Sequence, residues 1–324
     1  MKSLRRLAAT ATVLAALALT AQPTLAAGPT LPTGSPGQVA GSGATFPALL
    51  YKAWEATFSL AHPQTFDAGG DATKGLVMSY NAVGSGAGIK NFYGSDARKP
   101  TQLFSGSDAL LSSSDKSNIE SAVGSFYMLP TSLGPVAVVY NLPGLKQKVS
   151  ATSTSTRAAT LYLDGATIGK IFSGDIRKWN DTAIKALNPL IVNLPGRTIT
   201  PVYRSDGSGT SFIWTSYLNK VSPVWTTALA GKPSKTMADK ISTMKSKTTA
   251  IGASGNEGVA ATVVNQVGAI GYVEIAYANQ LGLKYAWVRT GDTTKKYFVP
   301  PSIYADPAIS AGSSIAGGPR ATPG

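Results

Sequence analysis

The residues best equipped for chemistry lie in one run, Arg204-Ser205-Asp206-Gly207-Ser208-Gly209-Thr210-Ser211, which turns apolar and aromatic at Phe212-Ile213-Trp214. Glycines let a backbone bend tightly and approach a ligand closely, and a helix starting at Ser208 or Gly209 aims its free N–H groups outward. Ser208 and Thr210 add hydroxyl donors, and Arg204 adds a planar fork of N–H donors suited to an oxyanion. The run therefore reads as half of a cradle for a tetrahedral anion at a helix N-terminus. An ordinary Gly-Ser turn capping a helix would use the same residue types.

Two further turns have the same character. Gly41-Ser42-Gly43-Ala44-Thr45-Phe46-Pro47 leads into Leu49, Leu50, Tyr51 and Trp54 at helical spacing, and Val83-Gly84-Ser85-Gly86-Ala87-Gly88 leads into an apolar run from Ile89. One Ser or Asp is enough to cap a helix, so glycine clustered at all three starts points to backbone approaching something small and anionic. Strands must carry these turns. Gly134–Tyr140 and Gly268–Glu274 are short and rich in β-branched residues, which predicts buried strands, and a helix is expected around Ile168–Phe172. Strands alternating with helices indicate α/β architecture, with ligand held at loops that follow strand ends.

Composition narrows the function classes. The chain has 324 residues and no cysteine, which excludes disulfides, thiolate catalysis and Cys-based metal sites. A single histidine, His62, cannot make a zinc site and reads as a surface residue near a helix end. Residues 1–26 read as a cleaved signal peptide: basic Lys2, Arg5 and Arg6, an apolar stretch from Leu7 to Leu19, and a small-residue exit at Thr24-Leu25-Ala26. With no cysteine to carry a lipid, the expected location is periplasmic or secreted. The formal net charge of +13 falls to +10 without those three leader cations. The basic residues are scattered. Their densest group, Lys232, Lys235, Lys240, Lys245 and Lys247, has no interleaved aromatics and reads as solvated surface, so nucleic acid is not an expected partner. A general positive field would still draw an anion inward.

Five blocks, in order, carry a family resemblance: GSGATFPALLYKAW at 41–54, FSGSDALLSSSD at 104–115, LDGATIGKIFSGDIRKWNDTAIKALNP at 163–189, RSDGSGTSFIWTSYL at 204–218 and GNEGVAATVVNQVGAIGYVEIAYA at 255–278. The chain resembles the periplasmic phosphate-binding proteins of phosphate ABC transporters. The resemblance implies a two-lobed periplasmic-binding-protein fold of type II, with phosphate in a cleft between lobes that close by a hinge. The implied division is a linker at 27–37, a first lobe at 38–141, a second lobe with hinge-proximal strands at 142–290, and a poorly ordered tail at 291–324. Family members continue past the region like 285–305 with a further strand and helix, so a shortened C-terminus is expected here. Residues 148–160 are expected to be a Ser/Thr loop, and the stretch between Ser85 and Asp108 to be a few residues longer than usual.

The resemblance also implies the ligand contacts. Thr45 and Phe46 would give N–H groups, with the Thr45 hydroxyl added, and Ser85 would contribute from the second turn. Arg204, Ser208, Gly209 and Thr210 would come from the other lobe, with Asp206 bracing Arg204 rather than touching the ligand. Asp108 would supply selectivity. Phosphate at neutral pH keeps a proton through which it can donate a hydrogen bond to an ionised carboxylate, whereas sulfate has none and would be repelled. Asp96, in Tyr93-Gly94-Ser95-Asp96, competes for that role. The implied partners are inorganic phosphate and the membrane permease subunits, with no cofactor, no metal and no catalysis, for a protein acting as a monomer. The alternative from another class is a phosphate-ester hydrolase on the same fold, which would need metal carboxylates or a base and nucleophile that the sequence does not offer as a cluster.

Overall fold

A computed structural model describes residues 38–61, 77–94 and 102–289. The expectations for the signal peptide, the linker, His62, Asp96 and the C-terminal tail fall outside them.

The first sheet has three parallel strands in the order β2-β1-β3, with β1 Gln38–Gly43, β2 Val77–Ala82 and β3 Phe104–Gly106. Helix α1 (Ala48–Ala61) follows β1, α2 (Ser85–Tyr93) follows β2, and α3 (Ser113–Val123) follows β3. The helix α2 lies so close to β1 that a Cβ on Gly88 would sit 2.3 Å from the Gly43 Cα, which explains glycine at the point of contact. Helix α3 opens with a capping box: the Ser112 hydroxyl accepts from the Asp115 N–H while the Asp115 carboxylate accepts from the Ser112 N–H.

The second sheet is built around β4 (Val136–Tyr140), β8 (Thr200–Arg204), β9 (Ile251–Ala253), β10 (Ala269–Glu274) and β11 (Lys284–Tyr285), in the order β11-β4-β10-β8-β9. Between β4 and β8 come β5 (Lys146–Lys148), β6 (Thr156–Ala158) and β7 (Tyr162–Asp164), and then α4 (Gly165–Ser173) and α5 (Thr182–Leu187). After β8 run α6 (Gly209–Val221), α7 (Pro223–Ala228) and α8 (Ala238–Ile241). Helix α9 (Gly255–Asn265) precedes β10, and α10 (Ile275–Gln280) follows it. A last strand, β12 (Trp287–Arg289), pairs with β7.

Both central strands are covered on both faces and so read as nearly continuous apolar runs, broken on β10 by the buried Glu274 at its end. On β4, Val138 and Tyr140 join a cluster with Phe172, Trp179, Trp214 and Trp225, while Ala137 and Val139 face the other way, toward Val259 and Val263 of α9. On β10, Ile270 and Tyr272 take the first side, and Ala269 and Val273 the second. The two strands pair antiparallel, with Tyr272 opposite Val138.

The α/β class, the two buried strands and the helix at 168–172 agree with the sequence reading. Two expectations need correction. That reading ended the first lobe with Gly134–Tyr140, but β4 hydrogen-bonds to β10 and β11 and so belongs to the second sheet. A strand's partner more than a hundred residues away leaves no local signal. The Ser/Thr stretch at 148–160 is only in part the expected loop: 149–155 connect β5 and β6, which pair antiparallel as a short hairpin. Its polar side chains carry no alternation that would have announced a strand.

Candidate functional site

Arg204 ends β8, and only 1% of it is exposed. Two of its edges are engaged by Asp206, with Nε donating to Oδ1 at 2.7 Å and Nη2 donating to Oδ2 at 2.5 Å. Nη1 is left to reach the Thr210 hydroxyl at 3.3 Å. The guanidinium is thus held flat and aimed, a geometry that needs arginine rather than lysine. Burial pushes the Asp206 carboxyl up, but the hydrogen bonds and charge of Arg204 and the Gly255 N–H outweigh it, and the carboxyl sits below its usual range. The Gly255 N–H, at the start of α9, donates to Asp206 Oδ1 at 3.1 Å. Behind Arg204, the Tyr272 hydroxyl accepts from the Arg204 N–H at 3.2 Å and lies 2.7 Å from the Ser211 hydroxyl. Its ring stacks on Trp214 with centroids 4.9 Å apart. Burial above all pushes the Tyr272 phenol up to about 12, so it stays neutral.

Helix α6 starts directly after Ser208, whose side chain caps it by accepting from the Ser211 N–H at 3.0 Å. The next N–H, from Gly209, points across to the first lobe and donates to the Ser85 hydroxyl at 3.1 Å. Nothing larger fits at Gly209, because a Cβ there would lie 2.5 Å from Ser85 Oγ and 2.6 Å from Asp108 Oδ2. Ser85 is the first residue of α2, and its neighbour Gly86 donates to the Gly207 carbonyl at 2.7 Å. The second and third glycine turns therefore meet, one from each lobe.

Asp108 follows β3. Its N–H reaches Ser85 Oγ at 3.3 Å, and its Oδ2 is buried with no hydrogen-bond partner among the described residues. Burial raises the carboxyl to about 7. Arg204 opposes that rise, the charge of Glu274 adds to it, and hydrogen bonding with Ser85 opposes it. An unpartnered carboxyl oxygen beside an arginine is costly unless something else satisfies it.

The first glycine turn, after β1, supplies Thr45, which is 2% exposed, and Phe46, whose ring lies against Gly134. Their N–H groups find no acceptor among the described residues. The turn itself is clamped by two phenols: Tyr277 donates to the Thr45 carbonyl at 2.6 Å and Tyr80 to the Ala44 carbonyl at 2.9 Å. Burial holds both phenols above their ordinary value, so they remain donors.

All eight ligand residues expected from sequence, with Asp206, thus lie in one linked set spanning both lobes. The sequence reading missed Asn256, which is fully buried at the start of α9. Its amide Nδ2 donates to Thr45 Oγ1 at 2.9 Å and to Thr210 Oγ1 at 3.2 Å, and its own N–H donates to Thr45 Oγ1 at 3.1 Å. Glu274 was missed as well. Its side chain caps α10 by accepting from the Ala276 N–H, and burial raises its carboxyl to about 7. A lone Asn within Gly-Asn-Glu-Gly gave no warning, because that pattern is ordinary at a helix start. Lys235 needs correction: read as solvated surface, it is 28% exposed and pairs with Asp115 of α3 at 3.1 Å, so it ties the lobes together. Its carbonyl also accepts from the Ser208 N–H at 2.9 Å.

Comparison with known proteins gives a consistent picture. A family model described as a PBP superfamily domain matches residues 30–312. A phosphate-binding protein PstS from Haemophilus influenzae is 33% identical over 274 residues, 84% of this chain and 68% of that one. A protein of the same name from Xylella fastidiosa is 34% identical over 248 residues, 76% of this chain and 56% of that one. The chain therefore spans between about half and two thirds of the length of these relatives. Among solved structures, an ancestral soluble variant of the human phosphate binding protein superposes with a TM-score of 0.58. It covers 88% of this chain and 70% of that one at 22% identity, a likeness of fold.

Proposed function

The chain belongs to the PBP superfamily, among its PstS-type phosphate-binding proteins, and on that premise we propose that it binds inorganic phosphate between its lobes and hands it to the permease of an ABC transporter. The observation that carries the proposal is the meeting of three glycine-rich turns, from two separate sheets, around the buried Arg204. Donors from both lobes face one place: the N–H groups of Thr45 and Phe46 with the hydroxyls of Thr45 and Ser85 on one side, and Arg204, Ser208 and the Gly209–Thr210 helix start on the other. A helix N-terminus and a fixed guanidinium suit a tetrahedral oxyanion, and closure removes the water that would weaken them.

Asp108 gives this cradle its selectivity. As an anion it accepts a hydrogen bond from the proton that phosphate retains and rejects sulfate; as a neutral acid it can donate to either. With its carboxyl near 7, discrimination against sulfate strengthens as pH rises through neutrality. The basic leader, the positive net charge and the absence of cysteine support an exported, unlipidated protein working as a monomer in the periplasm or outside the cell. The related proteins are named for binding, which lends no support to the hydrolase alternative.

Calorimetric titration tests the reading. After unfolding and refolding to strip bound anion, the protein should take up one phosphate per chain and give no heat with sulfate at neutral pH. A folded protein that binds neither, or that binds sulfate equally well, contradicts it.

A further inference from the structure

Building on the phosphate reading, we infer that Asn256 is a positioning residue that makes the hydroxyls of Thr45 and Thr210 obligate donors toward the bound anion. A threonine hydroxyl has one proton to give and two lone pairs to receive with. Both lone pairs of Thr45 Oγ1 are taken, by the Asn256 N–H at 3.1 Å and by the Asn256 Nδ2 at 2.9 Å. Those of Thr210 Oγ1 are taken by the same Nδ2 at 3.2 Å and by Arg204 Nη1 at 3.3 Å. All four of these hydrogen bonds are donated to the hydroxyls. The only hydrogen-bonding capacity left to either hydroxyl is its own proton.

The orientation of the amide is not arbitrary. Asn256 Oδ1 accepts from the Glu274 N–H at 3.0 Å, and a backbone N–H can only donate. That bond sets the carbonyl end of the amide toward β10 and leaves the NH2 end facing the two threonines. One amide therefore primes two hydroxyls, Thr45 after β1 in the first lobe and Thr210 on α6 in the second. It can do so only when the lobes have brought those residues together. In the open protein the Thr45 hydroxyl is free to turn, and closure fixes its polarity. Glu, Asp or Ser at this place would offer acceptors to the threonine protons and draw them away from the ligand.

The test is a thermodynamic cycle measured by equilibrium dialysis with radiolabelled phosphate, each variant first checked for a cooperative melting transition. Asn256→Ala should weaken phosphate binding about 10–100-fold, the worth of one or two hydrogen bonds to a charged group. In a Thr45→Val, Thr210→Val background the same change should cost no more than about threefold, since no hydroxyl remains to be primed. Equal losses in both backgrounds would make Asn256 a merely structural tie and overturn the inference. Should Asn256→Ala not fold, the isosteric Asn256→Asp replaces it. Its charge acts on the anion in both backgrounds, so an excess loss in the presence of the hydroxyls supports the inference, and none overturns it. Failure of the unaltered protein to bind phosphate would overturn the phosphate reading itself, which the unaltered control reveals separately.

Discussion

The two lobes contribute to the site in opposite ways. The second is thick. Its five-stranded sheet is packed on both faces, and Leu161, Phe172, Trp179 and Trp225 are fully buried. On that base stands the fixed positive charge of the cradle, Arg204, braced by Asp206, Tyr272 and the start of α9. Among the described residues the first lobe is thinner. Its sheet has three parallel strands, and the cluster among its described residues joins only Ala48, Tyr51 and Tyr80. Leu103, Leu110, Tyr127 and Leu129 are more than half exposed on it and on the segment leading from α3 to β4. What it would bring to the proposed site is backbone N–H groups, the Ser85 hydroxyl and the Asp108 carboxyl, which burial raises to about 7. In the proposed reading the second lobe supplies attraction, and the first supplies discrimination.

The most severe way to break that division is Arg204→Ala. It should lower phosphate affinity at least 100-fold by titration. Leaving Asp206 without its partner should also cost about 3–5 kcal/mol of stability in denaturant unfolding. Arg204→Lys should recover only part of the affinity, because an ammonium cannot satisfy Asp206 and the ligand through one planar fork. Truncating the second lobe's core comes next. Phe172 is completely buried against Trp214 and Tyr272, and Phe172→Ala should cost about 3–5 kcal/mol of unfolding free energy. Tyr272, which supports Arg204, loses a ring neighbour, but Phe172 makes no hydrogen bond to the ligand residues, so binding by the fraction that remains folded should keep its preference for phosphate.

Asp108→Asn should act on discrimination more than on the fold. Phosphate affinity should fall about 10-fold or more, and sulfate should begin to compete at neutral pH. A second signature follows from the sign of the pKa shift. The folded value, about 7, lies above the ordinary 3.8, so burial favours the protonated form. The associated stability is complete below the unfolded value and is lost as pH rises from about 4 to about 7. In the ligand-free protein Asp108→Asn should flatten that part of the pH–stability profile, with Glu274 accounting for what remains. The smallest effect is expected from Lys235→Ala. This pair is partly exposed, so its loss should shift phosphate affinity by less than about 1 kcal/mol, and less still at high salt.

The turns were legible because their chemistry is written in consecutive residues: glycine where backbone must pass closely, then a hydroxyl, then an apolar helix. Arg204, Asp206 and Thr210 lie within seven positions, and their mutual geometry is almost entirely local. Asn256 was not legible. Its importance comes from Thr45, 211 positions away, and from Thr210, 46 positions away. Lys235 was misread for the same reason, since its partner Asp115 lies 120 positions away on the other lobe. The strand at 136–140 announced itself by composition, but its membership of the second sheet depends on an antiparallel partner near residue 270 that no local pattern names.

The most direct test of the division of labour is a crystal structure of the refolded protein grown with phosphate as its only tetrahedral anion. The account predicts one phosphate within hydrogen-bonding distance of Thr45, Ser85 and Asp108 from the first lobe and of Arg204, Ser208 and Thr210 from the second. A phosphate held by one lobe alone, or located away from Arg204, would contradict it.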